Sequence, residues 1–159
     1  MSAIALFTKV KITDFPKIRD AAVPKRRFFG GVKDTYHEVM SSLGVEVVDY
    51  PWSGYTFAVL LPYLESRGID LMKSDYEDFA RFVCEKRDCS AFVLAASHKR
   101  FLDQLMDANF DEAQLQKYHE EFTERREAGW GTAMIEGIRS LRQSIESVDE
   151  GSVVLLSVV

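Results

Sequence analysis

The stretch CSAFVLAASHKRFLDQL, residues 89–105, contains the two patterns that decide the fold. Its first half, Ala91–Ala96, is an unbroken apolar run, and its second half has the spacing of a helix. A similar run, SVVLLSVV, occupies residues 152–159. Strands that are apolar at every position are typical of a sheet covered on both faces. Both runs therefore predict buried strands.

Helical patterns supply the cover for such a sheet. A helix is predicted from Ser97 to about Ala108, and a long acidic helix follows over Asp111–Ala128. The clearest pattern is Thr132–Val148, where one apolar seam contains Met134, Ile138, Leu141, Ile145 and Val148. With further strands at 4–10 and 45–50, the pattern predicts an α/β or α+β fold. We expect a small mixed sheet of about five strands covered by helices, in a single domain over residues 1–159.

The segment 53–67 has two interpretations. Tyr55–Leu61 is apolar enough for a buried strand in a hairpin, with Pro62 opening a short helix that Gly68 ends. Alternatively, Ser53 caps a helix, and Pro62 then lies inside that helix, where it would kink it. The hairpin is the preferred prediction.

The composition is that of an ordinary globular chain. Of the 159 residues 47% are hydrophobic and 28% charged, and no apolar run approaches the roughly 20 residues that span a membrane. No signal-peptide pattern opens the sequence. The spacing of Cys84 and Cys89 matches neither a zinc site nor a redox pair. We therefore expect reduced thiols, a cytoplasmic location and no contact with a membrane.

The charge is unevenly distributed. The net charge is −5, but residues 1–33 have a charge of +6 and residues 34–159 a charge of −11. The acidic part repels phosphate, so nucleic acid is an unlikely ligand, whereas a basic protein partner is favoured. The basic loop PKRRFFGG, residues 24–31, is predicted to pack Phe28 and Phe29 inward rather than to bind nucleic acid.

A first candidate site lies where the strand at 91–96 meets the next helix. If Ser97 caps that helix, its unpaired N–H groups and dipole favour an anion. His98, Lys99 and Arg100 could then hold a phosphate or carboxylate, with His98 as the titrating group. The absence of glycine there favours the alternative that Ser97 merely begins a helix.

Two further candidates are surfaces for a partner. Trp130, between two glycines, is a possible contact anchor beside the acidic helix, which supplies Glu120, Glu121, Glu124 and Glu127. The turn YPWSGYTF, residues 50–57, presents an aromatic cluster in which Trp52 and Tyr55 are the candidate contacts. The alternative interpretations are that the charges lie on a solvated helix face and that the aromatic rings are half-buried over the edge of the core.

Motifs for catalysis are missing from the sequence. It contains no G-x-S-x-G, P-loop, G-x-G-x-x-G or H-E-x-x-H pattern, so no metal or cofactor is predicted. The leading hypothesis is a non-catalytic protein-binding module, namely a small acidic cytoplasmic inhibitor or immunity-type protein. The alternative is a binding protein or enzyme with a site for a small anionic ligand at the strand–helix junction, residues 97–100.

Overall fold

The computed structural model describes residues 3–26 and 30–159. The strands in this part of the chain are β1 (Ala5–Lys11), β2 (Lys25–Arg26), β3 (Val32–Lys33), β4 (Val45–Val48), β5 (Ser90–Leu94) and β6 (Ser152–Val158). The α-helices are α1 (Phe15–Ala22), α2 (Tyr36–Leu43), α3 (Thr56–Ser66), α4 (Glu77–Arg87), α5 (Glu112–Thr123) and α6 (Trp130–Ser147). Short 3₁₀ turns cover Ile12–Asp14, Ala96–Phe101 and Asp107–Asn109.

Four strands form the main sheet, in the order β4-β1-β6-β5. Each neighbouring pair in it is antiparallel, and β2 and β3 form a separate antiparallel pair. The predicted α+β fold is confirmed, although the main sheet is antiparallel throughout rather than mixed. β2 lies within the predicted loop at 24–31, and β3 directly follows it. The predicted packing of Phe28 and Phe29 lies outside the described residues.

The central strand β6 is buried on both faces, as its apolar run predicts. Val154 and Leu156 belong to a core formed with α3 and α6, whereas Val153 and Leu155 belong to a second core formed with α1 and α4. Alternate side chains of a strand point to opposite faces, so one unbroken run serves both cores. Each such buried side chain contributes about 1.5–3 kcal/mol to stability.

The preferred prediction of a strand at Tyr55–Leu61 is wrong, because this segment belongs to α3. The helix begins where the Thr56 hydroxyl donates a hydrogen bond of 2.8 Å to the Ser53 carbonyl oxygen. Pro62 lies inside the helix, as the alternative interpretation requires. Its missing N–H deprives the carbonyl of Ala58 of a partner, but Ala58 is exposed, so water can replace that hydrogen bond.

Within the described residues, no helix is both long enough and apolar enough to cross a membrane.

Candidate functional site

A groove opens between the start of α3, the end of α5 and the start of α6. Its volume is about 580 Å³, which is in the range of sites for small molecules or for side chains of a partner. We call it the aromatic groove. Its lining consists of Ser53, Tyr55, Ala58, Val59, His119, Phe122, Thr123, Arg125, Glu127 and Trp130. It therefore brings together residues from two of the three candidate surfaces that the sequence predicts.

The groove exists because the acidic helix ends earlier than its sequence pattern predicts. Asp111 caps α5 by accepting a hydrogen bond of 2.8 Å from the Gln114 backbone N–H. Glu124 has a left-handed φ of 56°, which ends the helix at Thr123 rather than at Ala128. The loop 124–129 then reverses the chain into α6.

Gln116 fixes this reversal, a role that the sequence pattern does not indicate. Its side-chain amide donates hydrogen bonds to a Glu120 carboxylate oxygen, at 2.8 Å, and to the Glu127 carbonyl oxygen, at 2.7 Å. Its Oε1 accepts one of 2.8 Å from the backbone N–H of Gly131. One side chain thus connects α5, the loop and α6. A single glutamine in a polar helix face gives no sequence signal of such a role.

His119 and Trp130 form the floor of the groove. Their rings stack with a centroid distance of 4.1 Å and an interplanar angle of 10°. His119 is only 3% exposed, and its Nδ1 atom has no hydrogen-bond partner among the described residues. An unpartnered buried polar atom costs about 1–3 kcal/mol, so it calls for an explanation. Burial lowers the pKa of His119 and favours the neutral ring.

The rim of the groove is aromatic and exposed. Tyr55 and Phe122 each expose 53% of their surface, and Trp52 exposes 39%. Trp52 lies beside the loop, because a Cβ on Gly129 would stand 3.6 Å from its ring. The other aromatic rings of residues 50–57 belong to the core, where the Tyr50 hydroxyl donates a hydrogen bond of 2.9 Å to the Ala133 carbonyl oxygen.

The acidic candidates differ in their surroundings. Glu127 lines the groove, and Glu124 is exposed on the same loop. Glu120 is half-buried against Gln116, and Glu121 forms an exposed ion pair of 3.8 Å with Lys117. The two exposed carboxylates of the loop thus stand beside the exposed Arg125 and Arg126.

The candidate anion site at residues 97–100 differs from its prediction. The predicted α-helix from Ser97 to about Ala108 is wrong, because a six-residue 3₁₀ turn begins at Ala96 and irregular turns follow it. The anion hypothesis thus loses its helix N-terminus. Ser97, Lys99 and Arg100 are exposed, and the Arg100 guanidinium lies over the Phe101 ring at 4.7 Å.

His98 points inward instead of joining these side chains. It is buried, with Nδ1 accepting a hydrogen bond of 3.0 Å from the Ala95 N–H. The proton is therefore on Nε2, which donates to the Lys73 carbonyl oxygen at 2.7 Å. Burial lowers the pKa of His98 despite this second hydrogen bond. Anion binding at this turn stays a prediction for Ser97, Lys99 and Arg100 without the imidazole.

A larger cavity, of about 700 Å³, lies between α6 and the turn at 107–109. Its cations are already neutralised locally, because Arg139 pairs with Asp107 at 2.7 Å and Arg142 with Glu146 at 2.9 Å. Within residues 3–26 and 30–159, no three potential metal ligands come together. The aromatic groove is therefore the stronger candidate site.

In comparisons with family models, curated proteins and solved structures, the chain matches none of them.

Proposed function

We propose that this protein is a non-catalytic binding module that recognises a basic protein partner through the aromatic groove. The proposal rests on one observation above all: Trp52, Tyr55 and Phe122 are exposed beside a cavity whose floor contains Trp130. Clustered exposed aromatic side chains are typical of interface hot spots, because they lose unfavourable contact with water when a partner covers them.

Charge supports a basic partner. Glu127 lines the groove and Glu124 is exposed on the same loop, and neither forms an ion pair within the described part of the chain. Carboxylates in this position would attract Lys and Arg side chains and accelerate their approach. A small acidic inhibitor or immunity-type protein of the cytoplasm is the class that combines these features, and we propose it by analogy.

The groove can be tested with a displayed library of random dodecapeptides selected on the purified protein. We expect enriched peptides that combine Lys or Arg with apolar residues, and about tenfold weaker binding of these peptides to Phe122→Ala and Tyr55→Ala. Val45→Ala is the matched control, because Val45 is 66% exposed and lies outside the groove. A library without enrichment, or equal binding to all variants, would contradict the proposal.

The acidic residues have a separate test in the association rate of a selected peptide. Charge reversal in the double variant Glu121→Lys/Glu124→Lys, at two exposed positions, should slow association roughly tenfold at low ionic strength. At high salt the difference should shrink, because the Debye length falls to about 3 Å at 1 M. The double variant Glu38→Lys/Glu46→Lys changes the charge equally at two exposed positions outside the groove, on α2 and β4, and serves as control. The same rate for all proteins at low salt would exclude this acidic surface.

A further inference from the structure

We infer that the aromatic groove receives an arginine side chain of the basic partner. In this arrangement the planar guanidinium lies against the rings of Tyr55 and Phe122 and donates hydrogen bonds to the Glu127 carboxylate. This inference rests on the proposed function and deepens it, because it names the group that enters the groove.

The electrostatic environment of the floor favours a cation. The carboxylates of Glu127 and Glu120 act on the pKa of His119. Both raise this pKa and so oppose the effect of burial. These two carboxylates favour a cation near His119, although Arg125 also belongs to the lining. An anionic ligand would meet these carboxylates, whereas a guanidinium would be attracted by them.

The hydrogen-bonding groups at the floor of the groove also favour a guanidinium. The Nδ1 atom of His119 is buried at the groove and has no partner in the described structure. Burial favours the neutral ring, and in the tautomer with its proton on Nε2 the Nδ1 atom is an acceptor that a donor of the ligand would satisfy. The Glu127 carboxylate adds acceptors beside it. A guanidinium has five N–H donors and no acceptor, so it complements this set.

The aromatic walls distinguish arginine from lysine. Tyr55, immediately before α3, and Phe122 of α5 both line the cavity with exposed rings. A guanidinium is planar and weakly hydrated, and it stacks on aromatic faces more readily than a compact ammonium does. Its alkyl stem would also cover Val59, another lining residue.

The test is a nuclear magnetic resonance titration with N-acetyl-arginine methylamide, observed at the indole N–H of Trp130. Trp52→Phe identifies that resonance. The citrulline analogue is the neutral isostere, and the glutamate analogue is the anionic control. We expect saturable millimolar binding of the arginine probe and at least fivefold weaker binding of the citrulline probe.

Two exposed charges give opposite predictions for the same titration. Glu127→Gln should weaken binding of the arginine probe at least fivefold, because it removes the attracting carboxylate. Arg125→Gln should tighten it, because it removes a repelling cation from the lining. Both side chains are exposed, so neither substitution should disturb the core. Unchanged resonances elsewhere will show that each variant is folded.

Equal binding of the citrulline probe, tighter binding of the glutamate probe, or no binding of any probe would overturn the inference. If selected dodecapeptides nevertheless bind the groove without an essential arginine, the inference fails and the proposed function stands. If the arginine probe binds as expected but the peptide library shows no enrichment, the proposed function fails and the arginine site stands.

Discussion

His98 joins two distant segments through one buried imidazole. Its ring accepts a hydrogen bond from Ala95, at the end of β5, and donates one to the carbonyl oxygen of Lys73. The first interaction needs an unprotonated Nδ1, so protonation of the ring would break it, whereas the second needs only the proton on Nε2 and would survive. The role of His98 is therefore structural, and acid should weaken the fold through it.

Lowering the pH from 8 to 5 should reduce the free energy of unfolding. The pKa of His98 is lowered in the fold from its ordinary value of 6.5, so the unfolded chain takes up the proton first. Stability is thus complete above pH 6.5 and decreases as the pH falls towards the lowered pKa. His119, whose pKa is also lowered, contributes with the same sign. Denaturant titrations at fixed ionic strength measure this dependence.

The variant His98→Gln distinguishes the contribution of His98 to this pH dependence from that of His119. Glutamine can still donate to the Lys73 carbonyl oxygen but does not titrate, so the variant should be less stable at pH 8 and less dependent on pH. Asp34 and Asp149 do not interfere, because hydrogen bonds lower their pKa values from the ordinary 3.8, away from the range between pH 8 and 5. A pH dependence parallel to that of the wild type would contradict the role of His98.

The inward orientation of His98 could not be predicted from its sequence position. The segment after β5 forms a 3₁₀ turn with three residues per turn instead of an α-helix with 3.6. A shift of one residue in the start of a helix rotates each side chain by about 100°. Sequence patterns place helix ends only within one or two residues, so Ser97, His98, Lys99 and Arg100 could not be divided into inward and outward side chains.

At the scale of elements, the groove depends on a close approach of α6 to α5. A Cβ added to Gly131 would stand 2.4 Å from the backbone oxygen of Glu112, which cannot move aside without displacing α5. Gly131→Ala should therefore cost roughly 1–3 kcal/mol and lower the melting temperature by several degrees. Differential scanning calorimetry gives the value, and the Trp130 indole resonance should shift as the groove deforms.

Gly137→Ala is the matched control in the same helix. There the added Cβ would meet Leu60 Cδ2 at 2.8 Å, the end of a flexible side chain that can rotate. Alanine also favours a helix interior by about 1 kcal/mol over glycine, which offsets the crowding. We expect little change in the melting temperature. If both variants lose the same stability, close backbone contact is not the reason for glycine at 131.

The sequence predicted an element well where its apolar residues repeat with a single, clear period. The seam of α6 is such a case, because Met134, Ile138, Leu141 and Ile145 repeat at helical spacing and are all buried. α3 is the opposite case. It is buried on most of its circumference, so its apolar run lacks a polar face and resembles a buried strand. Only the three-dimensional packing of α3 beside α6 distinguishes a buried helix from a buried strand here.

At the scale of the whole molecule, the two cores share one sheet. The apolar runs of β5 and β6 predicted cover on both faces, and this prediction is confirmed. The strand order was not predictable, because β1 pairs along its whole length with β6, which is more than 140 residues away in sequence. No local pattern encodes such a pairing. The aromatic groove could not be predicted from the sequence either, since its residues come from three separated elements.

Because β6 contributes alternate residues to both cores, we expect the two cores to unfold in one cooperative transition. The chain contains native probes for each side: Trp52 and Trp130 lie at the groove, and Cys84 and Cys89 are half-buried thiols near α4 and β5. Tryptophan emission and the rate of thiol modification should therefore change at the same urea concentration. Cys84→Ser and Cys89→Ser assign the thiol signal to each site. If the thiols react fully at a urea concentration where the emission is still native, the face covered by α4 opens separately, and the sheet does not couple the two cores.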